Sequence, residues 1–112
     1  MIQVWGIKNC TTVKKALCFL DSHGLAYEFY DYKKLPPSLE VLRHWCDQVG
    51  IDAMFNAKSA TYRQLNLGAQ TLSIEDKLEL MSKHPTLIKR PILQAQDLLF
   101  FGFSEEKYET LC

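Results

Sequence analysis

The chain has 112 residues, 47% of them hydrophobic and 23% charged, the balance of one folded domain whose core needs no disulfide staples. Thirteen basic residues cancel thirteen acidic ones, which excludes a global attraction to nucleic acid or to an anionic membrane and leaves only local charge. No apolar run approaches the roughly 18 residues of a membrane span, and no charged segment leads into an apolar one at the start, so neither a membrane anchor nor a signal peptide is expected.

The four cysteines, Cys10, Cys18, Cys46 and Cys112, form no C-x-x-C pair, which argues against a zinc ribbon and a dithiol redox motif. Without an export signal the thiols are expected to be reduced, in a cytoplasmic, monomeric protein.

In chain order, "IQVW" predicts a short strand bounded by Gly6. Val13, Ala16, Leu17 and Leu20 fall at i, i+3, i+4 and i+7, one apolar helical face. Gly24 suits the left-handed residue that ends many helices. "AYEFYDY" alternates and is aromatic-rich, a second strand, so the first 32 or so residues form a βαβ unit with parallel strands. "KKLPPS" breaks the chain. Ser38 is a predicted N-cap, with Leu39, Leu42, Cys46 and Val49 as the next stripe and Gly50 as its stop. A short helix is predicted near Thr61 to Leu65. "SIED" at 73 to 76 has capping-box form, with Ile74, Leu78 and Met81 behind it, and Pro85 ends that helix. "PILQA" and "LLFFGF" flank Gln96-Asp97 as a hairpin. Ser104 caps a last helix with Glu105 and Glu106 in its first turn, where the helix dipole favours acids.

The order βαβ, helical middle, ββα is that of a thioredoxin-like α/β fold. The expected domain is a single one over 1–112, with a helical insertion at about 37–84 between its two halves.

In that plan Cys10 lies between the first strand and the first helix. Unpaired N–H groups and the positive helix end favour a thiolate there, with Lys8 expected to add to the effect. Cys18 and Cys46 lie at or beside apolar stripes and are expected in the core. Cys18 is over two helical turns from Cys10, roughly 12 Å, too far for a disulfide. The three histidines show no metal-ligand spacing, and no metal site is expected. In "IKRPIL" the Arg90-Pro91 bond precedes a strand, where a cis peptide in a thioredoxin-like fold leaves a neighbour's backbone open to an extended thiol substrate. Arg90 would then bring charge to the thiolate or to an anionic substrate.

Gly6-Ile7-Lys8-Asn9-Cys10, Lys14-Lys15-Ala16, Ser59 to Leu65, Ile88 to Leu93 and Gly102 to Glu109 together resemble the arsenate reductase ArsC/Spx family over essentially the full chain. The sequence looks most like the YffB-like branch, small proteins proposed to act as glutathione-dependent thiol reductases. The resemblance implies a nucleophile at Cys10 and a cis Arg90-Pro91 pair. Arsenate reductases of the family hold their oxyanion with three arginines, and only Arg90 is matched. The other two align with Asn56 and Phe103, which should weaken arsenate binding by about 1.5–3 kcal/mol per lost charge-assisted bond. Lys58 stands where Spx-type relatives carry an arginine. The Spx C-x-x-C switch is absent, the fourth residue of that motif being Val13.

The expected function is monothiol thiol–disulfide exchange with no tightly bound cofactor. Glutathione, or a protein thiol or disulfide, is the reaction partner, and the predicted binding rim is Lys8, Asn9, Lys58, Arg90 and Pro91. The alternatives are a non-enzymatic, Spx-like binder of RNA polymerase or another protein, and an arsenate reductase.

Overall fold

The computed structural model describes residues 2–112. In chain order its elements are β1 (Ile2–Gly6), α1 (Thr11–Ser22), β2 (Tyr27–Asp31), α2 (Leu39–Val49), α3 (Ile51–Met54), α4 (Ala60–Gln64), α5 (Ile74–Lys83), β3 (Ile92–Ala95), β4 (Leu98–Phe101) and α6 (Glu105–Glu109). Short 3-10 turns lie at Leu67–Ala69 and Pro85–Leu87. The chain divides into two compact units, one made of residues up to Leu35 together with Arg90–Cys112, the other of Pro36–Lys89.

The first unit carries the sheet, in the order β2-β1-β3-β4. β1 and β2 are parallel, with Gly6 opposite Asp31, and α1 is their crossover, as parallel neighbours require. β3 runs antiparallel to β1 with Ile92 opposite Trp5. β3 and β4 close as a hairpin pairing Ala95 with Leu98, which leaves Gln96-Asp97 as the loop. This is the thioredoxin-like arrangement. Alternation along β1 and the helical period of α1 meet in one core of Val4, Ala16, Leu20, Leu93 and Tyr108, lined by Phe29, Phe100 and Phe103.

Two glycines fix where α1 begins and ends. Gly24, at φ +67°, follows the helix; Leu25 N–H donates to the Leu20 carbonyl at 2.9 Å and Gly24 N–H to Asp21 at 3.1 Å, the paired bonds of a Schellman ending. Gly6 has a different duty. A Cβ there would lie 2.9 Å from Val13 Cγ2, so its missing side chain is what lets the first turn of α1 come down on β1.

The second unit is helical and buries Leu42, Trp45, Met54, Phe55, Leu78, Met81, Leu87 and Ile88. It reaches Lys89 rather than ending at the Pro85 helix stop, because residues 87–89 are bonded back to α3 and the residues after it. Asn56 N–H donates to Leu87 at 2.7 Å and Lys89 N–H to Met54 at 2.7 Å, with a bridge between Phe55 and Ile88. Ser38 caps α2 and Ser73 with Asp76 forms a closed capping box on α5. Two stripes shift from expectation. On α2 the buried residues are Leu42 and Trp45, and on α5 Ile74 is 56% exposed, since a residue in the first turn of a capped helix projects beyond the packed face. No helix among the described residues is long and apolar enough to cross a membrane.

Candidate active site

α2, α4, α5 and α6 each start from a serine whose hydroxyl accepts a backbone N–H of the first turn. α1 starts from Cys10 instead, in extended conformation (φ −108°, ψ 126°), and its side chain closes no cap bond. Giving up a serine cap costs about 1 kcal/mol, and what stands in its place is a half-buried, free thiol.

A neutral thiol accepts hydrogen bonds weakly, but a thiolate accepts them well. Partial burial pushes the Cys10 thiol up. The Val13 backbone N–H, the Arg90 side chain as donor, the Thr12 N–H and the Arg90 charge outweigh it, and the net result lies below the ordinary thiol value. Cys10 thus stands at the N-terminus of α1, the position expected from sequence. The cation that acts is Arg90 rather than Lys8, which sits exposed in the 7–10 turn and is not among the groups moving the sulfur.

Arg90 reaches Cys10 through topology. β3 is antiparallel to β1, so the residue preceding β3 lies at the sheet end where β1 hands the chain to Cys10. The Arg90-Pro91 peptide is cis, and Pro91 is buried with its carbonyl accepting Gly102 N–H at 2.9 Å. On its other side Arg90 Nη1 donates to the hydroxyl of Tyr32 at 3.1 Å. Tyr32 is fully buried and was not among the residues singled out from sequence. Its only signal there was a tyrosine at the end of an aromatic strand, which any core residue would give.

Asn9 is exposed beside Lys8. Lys58 is exposed in the second unit, in the turn before α4, where its N–H donates to Asn56 Oδ1 at 3.1 Å. Asn56 thus spends its side chain on a local turn. Phe103 packs edge-on against Tyr108, ring centroids 4.9 Å apart, as part of the apolar core. Neither position offers an anion a charge.

The other cysteines are placed differently. Cys18, expected in the core, is exposed, because Val13, Ala16 and Leu20 take the buried face of α1 and position 18 turns away from it. Cys46 is half-buried on α2, and burial followed by the charge of Asp47 pushes its thiol up. Cys112 is exposed near the chain end. Among the described residues no three His, Cys, Asp or Glu side chains gather to hold a metal ion.

A model of the ArsC family matches residues 5–111. An uncharacterized protein of Haemophilus influenzae is 40% identical, over 98% of this chain and 97% of its own. The global transcriptional regulator Spx of Listeria innocua is 30% identical, over 96% of this chain and 83% of its own. The solved structure of the YFFB protein superposes with a TM-score of 0.91 at 36% identity, covering 98% of this chain and 97% of that one. The sequence words around Cys10 and Arg90-Pro91 are thus part of a likeness that extends through the whole fold, and this chain belongs to the ArsC family, on its YffB-like branch.

Proposed function

We propose that this protein is a monothiol thiol–disulfide oxidoreductase with Cys10 as its nucleophile and glutathione as the thiol that resolves it. The observation that carries the reading is the place of Cys10 at the N-terminus of α1, where the Val13 and Thr12 N–H groups and the Arg90 guanidinium outweigh burial and lower the thiol's titration. Each favours the thiolate, which is the form that attacks a disulfide.

The Cys10 thiolate attacks one sulfur of a disulfide R–S–S–R′, forming the Cys10–S–S–R bond and expelling R′–S⁻, which takes a proton from water. A glutathione thiolate then attacks the R sulfur, regenerating the Cys10 thiolate and leaving R–S–S–glutathione; a second glutathione reduces that mixed disulfide. Two glutathione thiols thus supply the two electrons that reduce R–S–S–R′. The chain supplies no resolving thiol within α1, since Cys18 is two turns away on an outward face and position 13 is a buried valine. Glutathione is anionic, and Lys8, Asn9 and Arg90 are the rim offered to it, with the cis Arg90-Pro91 segment alongside. A clamp for a small multiply charged oxyanion is less well supplied, with Asn56 and Phe103 standing where family arsenate reductases carry arginine.

The Spx relative supports a second reading, a regulator that binds a protein partner without turnover. Intact-mass analysis after incubation with oxidised glutathione, followed by peptide mapping, tests the first. One glutathione adduct on Cys10, removed by reduced glutathione with multiple turnovers of a small disulfide, is expected. Modification at Cys18 or Cys112 with Cys10 untouched would overturn it.

A further inference from the structure

Cys10, Tyr32 and Arg90 are far apart in sequence, yet strand register brings them to one end of the sheet. β1 and β2 are parallel with Gly6 opposite Asp31, so the residues after both strands emerge side by side. Tyr32 N–H continues this pairing onto the Gly6 carbonyl at 3.1 Å. Arg90 arrives at the same end by antiparallel pairing of β3 with β1.

A buried tyrosine carries its hydroxyl where a partner waits for it. Tyr32 is 0% exposed, and Arg90 Nη1 is 3.1 Å from its oxygen. An arginine side chain carries much rotamer entropy. Tethering its fork to a rigid, buried ring spends that entropy on folding instead of in each reaction cycle. We propose that Tyr32 is a positioning residue for thiol exchange at Cys10: its hydroxyl accepts Arg90 Nη1 and fixes the guanidinium in the orientation that meets the sulfur. The inference rests on the reading of Cys10 given above.

The choice of a phenol has a physical reason. A carboxylate here would also hold the arginine, but it would compete with the thiolate for the positive charge. Burial pushes the Tyr32 hydroxyl up, against the pull of Arg90, so it stays a neutral acceptor at neutral pH and leaves the cation to Cys10. Guanidinium has five N–H donors. One, on Nη1, goes to Tyr32, and the same guanidinium acts on the Cys10 sulfur.

The test compares wild type, Tyr32→Phe, Arg90→Met and the double variant. The readouts are thiolate absorbance at 240 nm against pH, and the rate of Cys10 modification by an uncharged disulfide at pH 6. Tyr32 acts only through the guanidinium and so cannot be worth more than it; Tyr32→Phe should lower the thiolate population at pH 6 about two- to fivefold. In the Arg90→Met background it should change nothing, because the guanidinium it positions is gone. Equal losses in both backgrounds, or no loss in either, overturn the proposal. A wild-type Cys10 that titrates like an ordinary thiol overturns the parent reading as well; a lowered wild-type titration that Tyr32→Phe leaves unmoved overturns this inference alone. If Tyr32→Phe does not fold, nitrogen-15 spectra of the wild type decide. Distinct Arg90 Nη signals from restricted rotation support the tether, and a single averaged signal overturns it.

Discussion

Replacing Arg90 by methionine keeps the length of the side-chain stem and removes the charge and the donors from Cys10. A charge-assisted hydrogen bond is worth about 1.5–3 kcal/mol when well sheltered. Here the guanidinium is half-buried and the thiol meets solvent, so screening reduces the figure to about 1 kcal/mol. That is roughly a fivefold fall in the thiolate population at any pH below the thiol's titration. The rate should fall by less, because a more basic thiolate is a better nucleophile, with a Brønsted slope of about 0.4–0.5. The fivefold loss of thiolate is offset by about a twofold gain in reactivity, and the variant should react about 2.5-fold more slowly at pH 6. At pH values well above both titrations only the gain remains, and the variant should be about twofold faster. Stopped-flow reaction with hydroxyethyl disulfide across this range checks it, the reagent being uncharged so that Arg90 does not act on it directly. The two pH–rate profiles should cross. A uniform slowing at every pH would refute the electrostatic account and assign Arg90 to geometry.

Gly6→Ala places a Cβ 2.9 Å from Val13 Cγ2; overpacking of this kind costs about 1–3 kcal/mol, and an unchanged urea midpoint would show that α1 lifts freely. Tyr108→Phe should raise the melting temperature, since the Tyr108 hydroxyl is buried without a hydrogen-bond partner among the described residues and an unsatisfied group costs about 1–3 kcal/mol; a lower melting temperature would reveal a partner for it. Cys10→Ser should alter how stability depends on pH. The folded thiol titrates below its ordinary value of 9.0, so its contribution is complete above the unfolded thiol's titration and is lost as pH falls through the folded one. The stability difference between wild type and Cys10→Ser, from denaturant titrations, should therefore shrink across that window; a difference constant with pH would mean that folding does not favour the thiolate.

Local pattern determined much of this protein. The period of Val13, Ala16 and Leu20 set the buried face of α1, Gly24 set its end, and Ser73 with Asp76 set the start of α5, because each depends on residues within a turn or two of one another. Cys10 at a helix N-terminus was legible for the same reason. The buried faces depart from the sequence pattern where tertiary packing chooses among neighbours. Cys18 lies close enough to the apolar face of α1 to pass for core, but the sheet covers Val13, Ala16 and Leu20 and leaves it outside; Trp45 rather than Cys46 fills the core of the second unit. Tyr32 carries no local mark at all. Its partner lies 58 residues away, and only the strand order β2-β1-β3 decides that a phenol, a guanidinium and a thiol share one end of the sheet. A helix terminus is made by consecutive residues and can be read from them, whereas a hydrogen bond between strand ends exists only once the register of three strands is fixed.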